Sequence, residues 1–199
     1  MNKSIKEILL PTAALTAVTL VVSAALVFTY NATKKEQVGD LSDTTLTACQ
    51  ALFPESENFE TVEVDGLDEQ IQNVILPDGS DAIGFEMELK GYSKGLVLVV
   101  GIDANGSVIG YEVAESSETP GLGTQITEDD FRNQFTGKTA AVTGVKGDPK
   151  SDTEVSVISG ATLSSNAVIN GVNLALESYP AAKEAAANEY FENSAQRYY

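Results

Sequence analysis

The stretch IGFEMEL, residues 83–89, decides the fold, because its apolar residues alternate with polar or small ones. This two-residue period predicts a half-buried β-strand. The run LVLVV at 96–100 is continuously apolar and predicts a strand covered on both faces. The turn sequence DANG at 103–106 leads into 108–113, which is predicted to return as the partner strand. The middle of the chain therefore predicts an antiparallel sheet.

Weaker patterns on either side of this sheet complete an α+β fold. A helix is predicted over 44–53, where Pro54 ends it, and Thr127 is a candidate cap for a helix over 127–135. Apolar residues at helical spacing predict a helix over 164–178, which Pro180 interrupts before an Ala-rich terminal helix. Further short strands are predicted at 61–64, 73–76, 142–145 and 155–158.

Residues 9–30 form an uncharged N-terminal segment rich in Leu, Val, Ala and Thr. As a helix these residues would extend about 33 Å, close to the thickness of a bilayer core. No clear cleavage site follows them, so a retained transmembrane helix is predicted, with a cleaved signal peptide as the alternative. The predicted organisation is an N-terminus at 1–8, the span at 9–30, a linker at 31–45, one domain at 46–180 and a helical tail at 181–199.

The charge of the chain limits what it binds. Residues 37–199 hold 8 basic and 27 acidic residues, a net charge of −19, which argues against binding to nucleic acid or to anionic lipid. The orientation of the span is not decided by charge, because Lys3 and Lys6 on one side balance Lys34 and Lys35 on the other.

The composition also excludes several kinds of chemistry. The chain has no histidine and a single cysteine, Cys49. An intrachain disulfide, a Cys₄ cluster, a His-based zinc site and a Ser-His-Asp triad are therefore impossible. Chemistry must come from carboxylates, hydroxyls, backbone groups or a bound cofactor.

Two loops rich in small residues are candidates for holding such a cofactor. The tetrad SGAT at 159–162 precedes the helix predicted at 164–178, and ETPGLG lies at 118–123. Gly160 would allow close approach of a phosphate to a helix N-terminus, where Thr162 presents its hydroxyl and Ser164 is a candidate helix cap. Neither motif is specific alone, because the tetrad also fits an ordinary helix cap and ETPGLG fits a stiff surface turn.

Taken with the N-terminal apolar segment, these two loops resemble the FMN-binding domain family of the Rnf and Na⁺-pumping NADH:quinone reductase complexes. The resemblance covers about residues 46–180 and includes Lys90-Gly91-Tyr92. It implies that Thr162 carries FMN through a phosphoester bond formed by a separate Mg²⁺-dependent flavin transferase. It also implies that the N-terminus is cytoplasmic and the domain extracytoplasmic. Ser156 stands where the family motif D-x-x-[ST]-G-A-[ST] has aspartate.

The resemblance further implies a membrane-anchored, covalent-FMN electron carrier in a Na⁺- or H⁺-translocating ferredoxin:NAD⁺ oxidoreductase complex of the Rnf type. Its expected partners are the membrane and iron–sulfur subunits of that complex, the flavin transferase and membrane lipid. The alternatives are the corresponding subunit of the Na⁺-pumping NADH:quinone reductase and a non-redox, acidic surface-binding module. Tyr92 and Tyr111 are weaker candidates for stacking on a flavin, because tyrosines on strands more often belong to a core.

No catalytic residue and no metal ligand is predicted. The predicted FMN-binding residues are Ser159, Gly160, Ala161, Thr162, Leu163, Glu118, Thr119, Gly121, Leu122 and Gly123.

Overall fold

Helices and strands alternate with short loops through the part of the chain that the structure describes. The computed structural model describes residues 41–196, with side-chain surroundings as far as 189, and the isolated residues 16, 19 and 23. Its elements are α1 (Asp43–Leu52), β1 (Phe59–Val62), β2 (Ile71–Pro77), β3 (Ile83–Leu89), β4 (Leu96–Ile102), β5 (Val108–Glu115), a 3₁₀ helix (Gly123–Thr127), α2 (Asp129–Arg132), β6 (Thr143–Val145), β7 (Glu154–Ser156) and α3 (Thr162–Gln196).

Strands β1 to β5 form one antiparallel sheet in sequence order, as the alternating pattern predicts. Strand β3 has the predicted bounds, and its register with β4 runs from Ile83 opposite Ile102 to Leu89 opposite Leu96. On β4, Leu98 and Val100 belong to one core and Val99 to the other, so the strand is covered on both faces. The expected α+β class with a mainly antiparallel sheet is confirmed.

Helix α1 covers one face of the sheet. The side chain of Ser42 caps it by accepting a hydrogen bond from the Thr45 backbone N–H at 3.1 Å. Its buried residues Ala48, Cys49 and Leu52 pack with Phe53, Ile75, Ala82 and Val99 in a small core. The helix predicted at 44–53 is therefore confirmed to within one residue at each end.

Helix α3 covers the opposite face and continues through Pro180, so the predicted interruption there is wrong. Proline weakens a helix because it has no N–H to donate and its ring crowds the preceding turn. The buried residues Val172 and Ala175 before Pro180, and Ala182 and Ala186 after it, belong to the same large core. Packing of the helix on both sides of the proline outweighs the local cost of the proline, so α3 stays continuous.

The segment after β5 is less regular than the sequence suggests. Thr127 ends the 3₁₀ helix, and its hydroxyl donates to the Thr124 carbonyl at 2.9 Å, so it is not the predicted cap of a helix over 127–135. The α-helical turn is limited to α2, while the buried rings of Phe131 and Phe135 anchor the segment in the large core. Strands β6 and β7 form a separate parallel pair.

Within the described part of the chain, no helix is both long and apolar enough to cross a membrane. The span predicted at 9–30 lies outside the described residues, apart from Thr16, Thr19 and Ser23. The predicted N-terminus at 1–8, most of the linker and the last three residues of the tail also lie outside them.

Candidate functional site

The SGAT tetrad forms a tight turn that opens α3. The Ala161 backbone N–H donates to the Ile158 carbonyl at 3.1 Å, which closes the turn. Gly160 has φ +83°, a left-handed conformation that glycine adopts without the cost an L side chain would meet. Thr162 is the first helical residue, and its side chain is exposed. The candidate acceptor residue is therefore exposed at the start of a long helix.

The first turn of α3 is suited to an anion. The first intrahelical bond runs from the Ser165 N–H to the Ala161 carbonyl at 2.9 Å. The N–H groups of Thr162, Leu163 and Ser164 precede that bond, so they belong to the set that a helix leaves unpaired at its N-terminus. Together with the helix dipole, such groups favour a phosphate.

Ser165, and not Ser164, holds the turn before the helix, so the prediction that Ser164 is the cap is wrong. The Ser165 hydroxyl accepts a hydrogen bond from the Ile158 N–H and donates one to the Ala161 carbonyl, each at 3.0 Å. Ser164 points to a different partner, the carboxylate of Glu118.

Glu118 is buried, with 5% of its surface exposed, and joins three distant segments. Its Oε1 accepts a hydrogen bond from the Ser93 backbone N–H at 3.1 Å, in the β3–β4 loop. Its Oε2 accepts one from the Ser164 hydroxyl at 2.6 Å, in the first turn of α3. A single carboxylate thus links the β3–β4 loop, the ETPGLG loop and the helix that starts at Thr162.

Two glycines make room for this carboxylate. A Cβ added at Gly91 would overlap Oε1 of Glu118. A Cβ added at Gly123 would lie 2.6 Å from Oε2 of Glu118 and 2.9 Å from the Ser164 hydroxyl. Gly123, one of the predicted FMN-binding residues, is therefore buried against the Glu118 carboxylate.

Internal hydrogen bonds hold the rest of the ETPGLG loop. The Leu122 N–H donates to the Thr119 carbonyl at 3.1 Å, and the Gly121 N–H donates to the Thr124 hydroxyl at 2.9 Å. Gly121 has φ +72° and nothing within 4 Å of an added Cβ, so glycine is favoured there by backbone conformation. Thr119 and Gly121 are exposed and form the outer part of the loop.

The structure brings the two predicted loops into contact. A Cβ added at Gly160 would lie 3.1 Å from Cδ1 of Leu122, so the leucine side chain closely approaches the SGAT turn. The side chains of Ser159, Thr162 and Leu163 are exposed around that turn, whereas Ala161 is buried beneath it.

Exposed apolar surface is concentrated on the segments that Glu118 joins. Among the residues whose side chains are described, the exposed large hydrophobic ones are Tyr92 at 68%, Leu163 at 58% and Leu122 at 41%. Tyr92 lies between Gly91 and Ser93, both of which contact the Glu118 carboxylate. An apolar ligand held near Thr162 would find these side chains uncovered.

Tyr111 does not belong to this surface. Its ring is fully buried, and its hydroxyl donates to the Ile126 carbonyl. Burial, rather than the nearby charges of Arg132 and Glu112, is the main cause that raises the pKa of the Tyr111 phenol above its ordinary value. Tyr111 is a core residue and cannot stack on a surface flavin.

Ser156, which replaces the aspartate of the family motif, ends β7 and is half-buried. Its N–H donates to Oε1 of Gln134 at 2.6 Å, and its carbonyl accepts from the Gln134 side-chain amide at 3.3 Å. The backbone entering the SGAT turn is therefore held by a side chain from outside the motif.

The internal partners of Glu118 could not be predicted from the sequence. Ser164 was assigned to a helix cap and Ser93 was not singled out, because their contacts join residues 46 and 25 positions away. The tripeptide Lys90-Gly91-Tyr92, which is part of the family resemblance and adjoins Ser93, is the sequence feature that could have pointed to this loop.

The residues present fit a flavin bound through its phosphate. They combine an exposed threonine at a helix N-terminus, a left-handed glycine two residues before it and uncovered apolar side chains nearby. In agreement with that geometry, residues 91–177 match the FMN-binding domain family.

A full-length relative identifies the family more closely. The chain is 30% identical over 187 residues to the G subunit of the ion-translocating oxidoreductase complex of Methanosarcina acetivorans, and the match covers 90% of this chain and 97% of that one. The chain belongs to the family of G subunits of ion-translocating oxidoreductase complexes.

Other relatives match in part. The G subunit of the Na⁺-translocating ferredoxin:NAD⁺ oxidoreductase complex of Acetobacterium woodii is 29% identical over 154 residues, covering 68% of this chain and 74% of that one. The G subunit of the proton-translocating ferredoxin:NAD⁺ oxidoreductase complex of Clostridium ljungdahlii is 38% identical over 90 residues, 45% of this chain and 49% of that relative.

The C subunit of the Na⁺-translocating NADH-quinone reductase of Parabacteroides distasonis is a more distant solved structure. It is 22% identical to this chain, with a TM-score of 0.47, and the alignment covers 72% of this chain and 71% of that one.

Proposed function

We propose that this chain is a membrane-anchored electron carrier with FMN attached to Thr162, within an ion-translocating ferredoxin:NAD⁺ oxidoreductase complex. The observation that carries the proposal is the exposed residue Thr162 at the N-terminus of α3, in a member of this family of G subunits. The names of the Acetobacterium and Clostridium relatives support the choice of complex. Its other membrane and iron–sulfur subunits would be the partners.

The chain itself binds and orients the cofactor. The first turn of α3 offers backbone N–H groups and a favourable dipole to a phosphate on Thr162. Gly160 leaves the approach open, and Leu122 and Leu163 offer apolar surface to the ring. When bound, FMN supplies the electron-transfer chemistry, while the protein supplies position and environment.

A covalent bond suits a carrier that works at a surface. A cofactor that exchanges electrons with a partner must leave an edge uncovered, which reduces the area available to hold it. A phosphoester to Thr162 would retain the cofactor without burying it. Since a threonine hydroxyl is a weak nucleophile without an activating base, we propose that a separate flavin transferase forms the bond with FAD as the donor. The Thr162 oxygen would bond to the phosphorus of the FMN half while the pyrophosphate bond of FAD breaks and AMP leaves.

Mass spectrometry of protein from native membranes tests the attachment. The fragment containing Thr162 should carry an FMN-sized adduct, which Thr162→Val should abolish and Thr162→Ser should retain at least in part. Thr127→Val is a matched control that should leave the adduct on the Thr162 fragment, because Thr127 is also an exposed threonine in a helical segment. An unmodified Thr162 fragment in native material would refute the proposal.

Retention of flavin after denaturation separates a redox carrier from a non-redox acidic docking module. The carrier should be yellow when purified and should keep its flavin through unfolding and precipitation. A colourless protein that still assembles into the complex would favour the docking module.

We further propose that residues 9–30 span the membrane, with the N-terminus in the cytoplasm and the domain, residues 46–180, on the other side. The long uncharged segment supports the span. Protease added to cells after wall removal should degrade the domain. Protection of the domain until the membrane is breached would reverse the orientation.

A further inference from the structure

We propose that Glu118 is a positioning residue that assembles the flavin-acceptor site, and that it does so through Ser93 and Ser164 without contacting the cofactor. This inference rests on the proposed role of Thr162. It concerns how the acceptor threonine, the ETPGLG loop and the β3–β4 loop are held in one arrangement before any flavin arrives.

The hydrogen-bonding of Glu118 is directed inward. One carboxylate oxygen accepts from the Ser93 N–H and the other from the Ser164 hydroxyl, and only 5% of the residue is exposed. Gly91 and Gly123 pack so closely on these oxygens that a Cβ at either position would displace the carboxylate. The carboxylate is enclosed by the segments it joins, and both of its oxygens accept hydrogen bonds from groups of the protein.

Glu118 is held by hydrogen bonds and not by a cation. Within residues 41–189, the ion pair recorded is that of Arg132 with Glu112, on helix α2 and strand β5. A buried carboxylate without a cation needs good hydrogen bonds, and hydrogen bonds to an ionised acceptor are about twice as strong as neutral ones. The nearby N-terminus of α3 adds a favourable dipole.

These contacts act on the groups that would meet the flavin. Ser164 is two residues from Thr162, Ser93 adjoins the exposed Tyr92, and Leu122 lies in the same loop as Glu118. Loss of the carboxylate would release three segments at once, although no group that touches the flavin would be removed. Small displacements of a reacting group are known to slow reactions severely.

Glu86 provides a matched control on the opposite face of the sheet. It is also a buried carboxylate, 8% exposed, and accepts hydrogen bonds from the side chains of Thr45 and Asn73. It packs beneath α1, away from the SGAT turn. A general loss of stability should follow from Glu86→Ala as well as from Glu118→Ala.

The test uses the full chain in detergent, measured below the unfolding temperature of each variant. Amide hydrogen exchange of the flavin-free protein should accelerate at 91–95 and 159–165 in Glu118→Ala but not in Glu86→Ala. With purified flavin transferase and FAD, the initial rate of FMN attachment should fall by about tenfold or more in Glu118→Ala. Glu118→Gln, which can still accept from Ser93 and donate to Ser164, should recover most of that rate.

Ser164→Ala keeps the proposal testable if Glu118→Ala does not fold. Ser164→Ala removes the hydrogen bond to Oε2 of Glu118 and leaves the one from Ser93 to Oε1, so it should accelerate exchange at 159–165 and reproduce part of the loss in the rate of FMN attachment. Unchanged exchange at 159–165 in Glu118→Ala and Ser164→Ala would overturn the positioning role. A second outcome separates this proposal from the proposed function. If the wild-type chain never accepts FMN but amide exchange still accelerates in Glu118→Ala, the acceptor role of Thr162 is refuted and the positioning role of Glu118 stands.

Discussion

The Ser164 hydroxyl donates a hydrogen bond of 2.6 Å to Oε2 of Glu118, 46 residues earlier in the chain. This bond connects the first turn of the helix that begins at Thr162 with the loop that carries Leu122. Because the acceptor is a buried carboxylate, the bond is both strong and costly to lose.

Ser164→Ala should lower the free energy of unfolding by about 1–3 kcal/mol, because it leaves one oxygen of a buried carboxylate without its donor. Urea denaturation measures the change. Ser93→Ala is the control, since Ser93 donates from its backbone N–H and keeps that bond, and it should cost no more than about 0.5 kcal/mol. Equal losses in both variants would contradict the importance of the Ser164 hydroxyl.

Gly160→Ala should destabilise the domain by more than a left-handed backbone alone explains. The φ of +83° costs an L residue about 1–2 kcal/mol, and Cδ1 of Leu122 must also move by a few tenths of an ångström to make room for the added Cβ. Gly147→Ala, at φ +88° with open space around it, isolates the backbone cost. The unfolding temperature of Gly160→Ala should be lower than that of Gly147→Ala. Adding Leu122→Ala to each variant should narrow the difference between their unfolding temperatures.

The stability of the domain should fall as pH rises from 9 toward 12. Burial, and next the neighbouring Glu86 carboxylate, raise the pKa of the Cys49 thiol from 9.0 to about 12. The unfolded chain therefore loses this proton at lower pH than the folded protein, which favours unfolding throughout that window. Chemical denaturation at several pH values should show a smaller alkaline loss in Cys49→Ala. If the free energy of unfolding falls equally with pH in wild type and Cys49→Ala, the thiol is not the cause of the alkaline loss.

Pro180→Ala should raise the free energy of unfolding by about 1–3 kcal/mol, because alanine restores a backbone donor and removes the ring from a continuous helix. Pro180 is exposed, so no core packing is lost. Thermal unfolding measures the gain, with the exposed residue Glu184 changed to Ala as the control. A lower unfolding temperature in Pro180→Ala would mean that the proline stabilises the folded protein by restricting the conformations of the unfolded chain.

The sheet could be predicted because its signal is local. Alternation at 83–89 and the apolar run at 96–100 follow from which faces of a strand are buried, and each can be read within a few residues. The tetrad and the ETPGLG loop were likewise visible as motifs. Their contact, through Leu122 and Gly160, is a property of the folded chain.

Two features were beyond sequence reasoning for physical reasons. A glutamate in a Gly-rich loop is ordinarily exposed. Glu118 is buried because Gly91 and Gly123 pack closely against its carboxylate, and Gly91 is distant in the sequence. Pro180 is a strong local signal for the end of a helix, but tertiary packing of Ala182 and Ala186 overrides it.

The order of the strands has a consequence for how the protein matures. Each of the five strands pairs with its neighbour in sequence, so the sheet can assemble from local hairpins as the chain is synthesised. The contacts of Glu118, in contrast, wait for Ser164, which leaves the ribosome after every strand has been made. If Thr162 accepts FMN as proposed, a truncated or half-folded chain would present the flavin transferase with a threonine that lacks its surrounding turn. Loading of the cofactor would then serve as a mark of completed folding.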